Sequence, residues 1–207
     1  MTQPRLYLTA PPTEPSTFAP VLEDVLRSVP IACVRLALGE STDEAAWIDA
    51  ANHLLPICHR YEVALVATDH FRLVTGLGLD GVHLANSRTP LREIRKTLGS
   101  ERIIGAHAGT SRHQGMVLAE AGADYVSFGP VRTDGVLGDD ANAGDDLFEW
   151  WSEMIETPSV AEGGVTLEDA ARLATYADFL VPFLSIWDAD DPVGELHRFA
   201  EAVPPFD

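Results

Sequence analysis

Three imidazoles and one carboxylate stand where short apolar runs of the chain end. Asp69 and His70 follow Val63–Ala67, His83 comes near the end of Gly81–Leu84, and His107 follows Arg102–Ala106. Imidazole and carboxylate both bind metals and carry protons. His83, His107 and Asp69 therefore read either as converging ligands for Zn or Fe, or as hydrogen-bonded residues at one mouth. No local ligand spacing supports a metal, so the second reading stands ahead. Gly129-Pro130 follows a sixth run and Glu162-Gly163-Gly164 a seventh. Two glycines between a strand and a helix let backbone N–H groups approach an anion, and they equally make a tight turn with no ligand.

Other chemistry-bearing residues read more plainly. His53 and His59 are six apart on a predicted helix and share no face. Cys33 and Cys58 fit no metal or redox spacing. The stretch Asp134–Asp146, DGVLGDDANAGDD, lacks the EF-hand ligand order and reads as a solvated loop. Trp150, Trp151 and Trp187 read as packing residues rather than a ligand cover.

These residues need elements to position them, and the sequence supplies an alternation. Eight β-rich runs are expected at Arg5–Thr9, Ile31–Leu36, Val63–Ala67, Gly81–Leu84, Arg102–Ala106, Asp124–Phe128, Ser159–Ala161 and Asp178–Val181. Helical periodicity falls near 17–28, 43–59, 70–77, 90–98, 111–121, 144–156, 166–174 and 191–202. Start signals stand at Thr42 or Asp43, at Thr110 or Ser111 and at Thr166, and Gly99 and Gly122 mark helix ends. Eight strands alternating with eight helices predict a compact (β/α)8 TIM barrel in one domain over residues 1–207, with an open doubly wound sheet as the alternative. In such a barrel the site lies at the carboxyl ends of the strands.

Composition narrows the partners. With 32 Asp and Glu against 14 Lys and Arg, a net charge of −18 disfavours nucleic acid and anionic membrane surfaces. No run of about 18 apolar residues suggests a membrane span. The start of the chain lacks a basic, then apolar, secretory pattern, so a reducing cytoplasm is expected. Oligomeric state is left open, with a homodimer one option.

The segments VALVATDHFRLVTGLGLDGVHL at 63–84, GADYVSFGPV at 122–131 and SVAEGGV at 159–165 resemble the thiamine phosphate synthase/TenI family. The similarity in spacing runs from Leu6-Tyr7-Leu8 to the final helix. It implies a (β/α)8 barrel that joins a hydroxymethylpyrimidine diphosphate to a thiazole phosphate with loss of pyrophosphate. It also implies Mg²⁺ and a phosphorylated small-molecule substrate.

By that resemblance Asp69 falls on the family's first Mg²⁺ carboxylate, and Arg88 stands where the second is expected. Arg35 takes the place of a Gln in the second-strand motif, whose two cations are replaced. His107 stands at a fifth-strand Ser. After Gly129-Pro130-Val131, Arg132 and an acidic stretch replace a pyrophosphate-gripping Thr-x-Thr-Lys. Glu162 precedes Gly163-Gly164 where the family is apolar, and Ser185 is the hydroxyl left at the eighth-strand end.

Three readings follow. In a synthase with an altered metal and pyrophosphate site, Arg35, Arg88 and Arg132 supply positive charge. Gly129, Gly163, Gly164 and Ser185 then bind the phosphorylated substrate. In a TenI-like thiazole tautomerase, His107 moves the proton, with His83 as the fallback. In a non-catalytic relative, the barrel binds a small ligand or a partner.

Overall fold

The structure, a computed structural model, describes residues 5–38, 43–85, 88–133 and 142–203. Among them, strands β1 (Leu6–Thr9), β2 (Ile31–Leu36), β3 (Ala64–Thr68), β4 (Gly81–Leu84), β5 (Ile103–His107), β6 (Tyr125–Phe128), β7 (Ser159–Val165) and β8 (Phe179–Pro182) alternate with helices. The helices are α1 (Pro15–Ser28), α2 (Glu44–Arg60), α3 (Phe71–Leu77), α4 (Leu91–Leu98), α5 (Arg112–Glu120), α6 (Asp145–Met154), α7 (Leu167–Leu173) and α8 (Pro192–Ala202), with a 3-10 helix at Leu184–Asp188. All neighbouring strands pair in parallel, and β1 pairs with β8 to close the barrel. The open sheet is thereby set aside.

Local signals produce these elements. Asp43 accepts the Ala45 N–H at 3.0 Å and Ser111 the Gln114 N–H at 3.2 Å, so α2 and α5 start where short polar side chains replace missing intrahelical bonds. Thr166 and Asp169 form a reciprocal capping box at α7. Leu91, Ile94 and Leu98 make one buried stripe on α4, as Phe18, Leu22 and Val25 do on α1. No helix among the described residues is long and apolar enough to cross a membrane.

Period-two alternation divides the core. Val34, Leu36, Leu65, Ala67, Val82 and Leu84 pack outward under the helices. A second cluster of Tyr7, Val66, Tyr125, Val160 and Val181 fills the barrel interior. The Tyr125 ring occupies space that only a glycine leaves: a Cβ on Gly105 would lie 1.9 Å from its Cζ.

Two expectations shift. The Gly163-Gly164 pair belongs to β7, which runs on to Val165 with a register irregularity, rather than to the turn beyond it. Of the acidic stretch, Asp145 and Asp146 form the first turn of α6, while residues 134–141 lie outside the described residues. Trp151 is buried against Phe128 and Trp187 packs on Phe18, as packing residues should.

Candidate active site

The carboxyl ends of the strands surround a cavity of about 490 Å³. Its lining includes Arg35 from β2, Thr68 from β3, His83 from β4, His107 from β5 and Glu162 from β7. Each points inward because it shares strand parity with an interior residue two positions earlier: Cys33, Val66, Gly81, Gly105 and Val160. Register brings them level, with Thr68 beside His83 and His107 beside Ser127.

Glu162 is the hub. Its Oε2 accepts from Arg35 Nη2 at 2.7 Å, and its Oε1 accepts from Ser127 Oγ at 2.6 Å. His107 Nδ1 lies 2.9 Å from the same Oε1, and His83 Nε2 lies 3.6 Å away. Arg35 Nη2 also reaches Thr9 Oγ1 at 3.1 Å, and its guanidinium lies 5.6 Å from the Tyr7 ring centroid. Both members of the Arg35–Glu162 pair are nearly removed from solvent, at 13% and 12% side-chain exposure, so water screens it little.

The charges in this cluster are set by burial and partners. Burial alone would push the Glu162 carboxyl up, but the His107 hydrogen bond and the Arg35 guanidinium outweigh it and hold the group well below the usual carboxylate range. Burial, aided by the Arg35 charge, drives the His83 imidazole down to about 3, so His83 is neutral at neutral pH. Burial works against the Arg35 charge, and Glu162 together with Tyr7 and Tyr125 more than offsets it. A carboxylate beside a glycine-flanked anion site is repulsive when unpaired. Here it is paired on both oxygens.

The residues singled out in the sequence divide. Arg35, His83, His107, Gly129, Gly163 and Gly164 line the cavity. Arg88 is exposed and outside the lining. Arg132 turns to α7 instead, where its Nε and Nη2 meet Asp169 at 2.5 and 2.9 Å. Ser185 is exposed on the 3-10 helix, and the neighbouring Phe183 and Leu184 line the cavity in its place. The arginine trio therefore does not assemble: Arg35 alone of the three is at the cavity, and it is committed to Glu162.

The two β7 glycines have a packing reason. Gly163 and Gly164 hold φ of 81° and 76°, and a Cβ would lie 2.7 Å from Pro130 Cα and 2.9 Å from the Arg132 carbonyl oxygen respectively. They let β7 press against the segment after β6, where the N–H groups of Val131 and Arg132 donate to the Gly163 carbonyl.

Asp69 has a local structural job. At φ 57° its Oδ1 accepts the Ala85 N–H at 2.8 Å while its own N–H donates to the His83 carbonyl at 2.9 Å, tying the end of β3 to the end of β4. Mg²⁺ calls for oxygen ligands in near-octahedral array, usually one or two carboxylates with waters and substrate phosphates. Asp69 Oδ1 is engaged with Ala85, Arg88 stands where the resemblance leads one to expect a second carboxylate, and Glu162 is taken by Arg35, Ser127 and His107. Among the described residues no three His, Cys, Asp or Glu side chains group as a metal site. Among the described residues the site thus offers Mg²⁺ Asp69 in place of two carboxylates, so most of a magnesium shell would have to come from substrate phosphates and water.

Tyr7, Tyr125, Ser127 and Thr68 belong to the same constellation and were not singled out from the sequence. The signal was present: in YVSF, Tyr125 and Ser127 share one face of β6, and a tyrosine and a serine pointing into a barrel need polar partners.

Fold and cavity together define a single (β/α)8 barrel with a buried ionised cluster at the carboxyl ends of its strands, the end where such barrels carry their sites. The chain belongs to the thiamine monophosphate synthase family, whose model matches residues 6–181. It is 40% identical over 190 residues to the thiamine-phosphate synthase of Rhodospirillum centenum, covering 91% of each chain. It is 36% identical over 206 residues to that of Erythrobacter litoralis, covering 96% of this chain and 95% of the other. Thiamine phosphate pyrophosphorylase from Pyrococcus furiosus superposes with a TM-score of 0.82 at 17% identity, covering 96% and 95% of the two chains, which speaks to the fold.

Proposed function

We propose that this chain is a thiamine-phosphate-synthase-type enzyme that joins a pyrimidine methyl diphosphate to a thiazole phosphate in the cavity at the strand ends. The observation that carries the reading is a buried Glu162 carboxylate, ionised and fixed by Arg35, Ser127 and His107 at the cavity wall. When the carbon–oxygen bond to the diphosphate breaks, its electron pair leaves with the diphosphate and the pyrimidine methylene becomes cationic. A preorganised anion beside that carbon stabilises the charge as it develops. The thiazole nitrogen lone pair then forms the new carbon–nitrogen bond. Gly129, Gly163 and Gly164 bring backbone close to the cavity on the side we assign to the thiazole phosphate, and Phe183 offers an apolar face for a ring. The relatives named thiamine-phosphate synthase support this reading.

A second reading has its own observation. The His107–Glu162 contact at 2.9 Å is an acid–base pair in reach of the cavity, which aromatisation of a thiazole phosphate tautomer would need, and that reaction requires no diphosphate grip. Incubating the purified protein with both synthase substrates, with and without Mg²⁺, and oxidising the product to a fluorescent thiochrome tests the first reading. Thiamine phosphate above the protein-free blank is expected. Folded protein that forms none, yet aromatises the tautomer, would transfer the assignment to the second.

A further inference from the structure

Behind the cavity wall a chain of hydrogen bonds runs through the barrel interior. Tyr7 Oη lies 2.8 Å from Tyr125 Oη, and Tyr125 Oη lies 2.9 Å from His83 Nδ1. All three side chains are buried. The Tyr125 ring stacks on the His83 ring at 5.7 Å and 20°, while Tyr7 meets both rings edge-on. Burial holds both phenols protonated, raising them well above their ordinary range. The far nitrogen of the imidazole, His83 Nε2, is buried without a hydrogen-bond partner, and His83 lines the cavity.

Two proton arrangements satisfy this chain. In one, Tyr7 donates to Tyr125, Tyr125 donates to Nδ1, and Nε2 carries the proton. In the other, Nδ1–H donates to Tyr125, Tyr125 donates to Tyr7, and Nε2 presents a lone pair. Glu162 decides between them. Its ionised Oε1 stands 3.6 Å from Nε2, too far for a hydrogen bond but close enough to attract an N–H and repel a lone pair.

We propose that Glu162 is a positioning residue that biases His83 to the neutral Nε2–H tautomer, with Tyr125 and Tyr7 turning their hydroxyls to match, so that the cavity meets its ligand with a fixed hydrogen-bond donor. The ligand atom at that point is then an acceptor, a ring nitrogen or an oxygen. A ligand presenting a donor there would leave two buried N–H groups opposed, and a site built this way discriminates by the cost of the unpaired group. The inference rests on this geometry and holds for either reaction above.

Nitrogen-15 spectra of the full-length protein, labelled at histidine, test it without any substrate. The His83 signals are assigned by their loss in His83→Gln. Wild-type protein at neutral pH is expected to show a protonated Nε2 and an unprotonated Nδ1. In Glu162→Gln the Nδ1–H tautomer is expected to gain population, because the charge that disfavoured a lone pair at Nε2 is gone. Tyr7→Phe keeps the Tyr125 donor and is expected to keep the wild-type tautomer. A wild-type His83 protonated at Nδ1 would overturn the proposal. So would a folded Glu162→Gln with unchanged His83 shifts, or a Tyr7→Phe that switches tautomer. Should Glu162→Gln fail to fold, the wild-type and Tyr7→Phe spectra still decide.

Discussion

Arg35 and Glu162 meet across the barrel mouth from β2 and β7, Nη2 to Oε2 at 2.7 Å, and each is the reason the other can stay charged there. Two charges taken out of water need each other and further hydrogen bonds to remain. Thr9 supplies a bond to Arg35, while Ser127 and His107 supply them to Glu162. The cavity thus has a wall of fixed polarity before any ligand arrives.

Breaking this pair from one side leaves the other charge uncompensated. Arg35→Met is expected to destabilise the barrel by about 3–5 kcal/mol in urea unfolding. Glu162→Gln added to it is expected to recover part of that loss, since the stranded carboxylate is then gone. Simple addition of the two single effects would show that the charges do not couple.

Acid should weaken the fold through two groups acting with the same sign. His83 titrates at about 3 in the folded protein against an ordinary 6.5, so between these values the unfolded chain holds a proton the folded one refuses. Stability therefore falls as pH drops below 6.5, by at most about 1.4 kcal/mol per unit from this group. Glu162 is held below its ordinary 4.5, so its contribution is present above that value and is lost as pH falls through its folded pKa. Urea midpoints measured from neutral pH downward should decline, and His83→Gln should flatten the upper part of that decline. An equal slope in the variant would remove His83 from the explanation.

Gly105→Ala places a methyl group where the Tyr125 ring lies. The expected effect is a destabilisation of about 1–3 kcal/mol by overpacking. The aromatic signals of Tyr125 and the His83 ring stacked on it should shift with it. Chemical shifts identical to wild type would mean the interior has room that the structure does not give it.

Arg132→Ala should reduce stability without changing affinity for a phosphorylated ligand. Its guanidinium forks onto Asp169, which is 1% exposed, and removing it leaves Thr166 and Arg172 to hold that carboxylate. A loss of about 1–3 kcal/mol is expected, with ligand binding by calorimetry unchanged. Weakened binding at full stability would reverse this assignment.

The barrel was legible in the sequence because its signals are local. Caps at Asp43, Ser111 and Thr166, the stripe of α4 and the β-rich runs each report their own element within a few residues. The family was legible in DGVHL and FGPV for the same reason. The site was legible as positions rather than as pairings. His83, His107 and the β7 glycines were marked by standing near strand ends, and Arg35 by the family resemblance. That Arg35 would bond Glu162, 127 residues along the chain, depends on strand tilt and side-chain reach, which no local pattern encodes. Arg132 illustrates the converse: its charge suited a phosphate, and a buried aspartate on α7 claimed it.

The most direct test of the account is the turnover of Glu162→Gln in thiamine phosphate formation. Glutamine keeps the shape of the side chain and removes the charge. If the fixed carboxylate stabilises the developing pyrimidine cation, kcat should fall by about 10²–10³ while KM for the thiazole phosphate stays close to wild type. A folded Glu162→Gln protein that turns over at the wild-type rate would contradict the role given to the carboxylate.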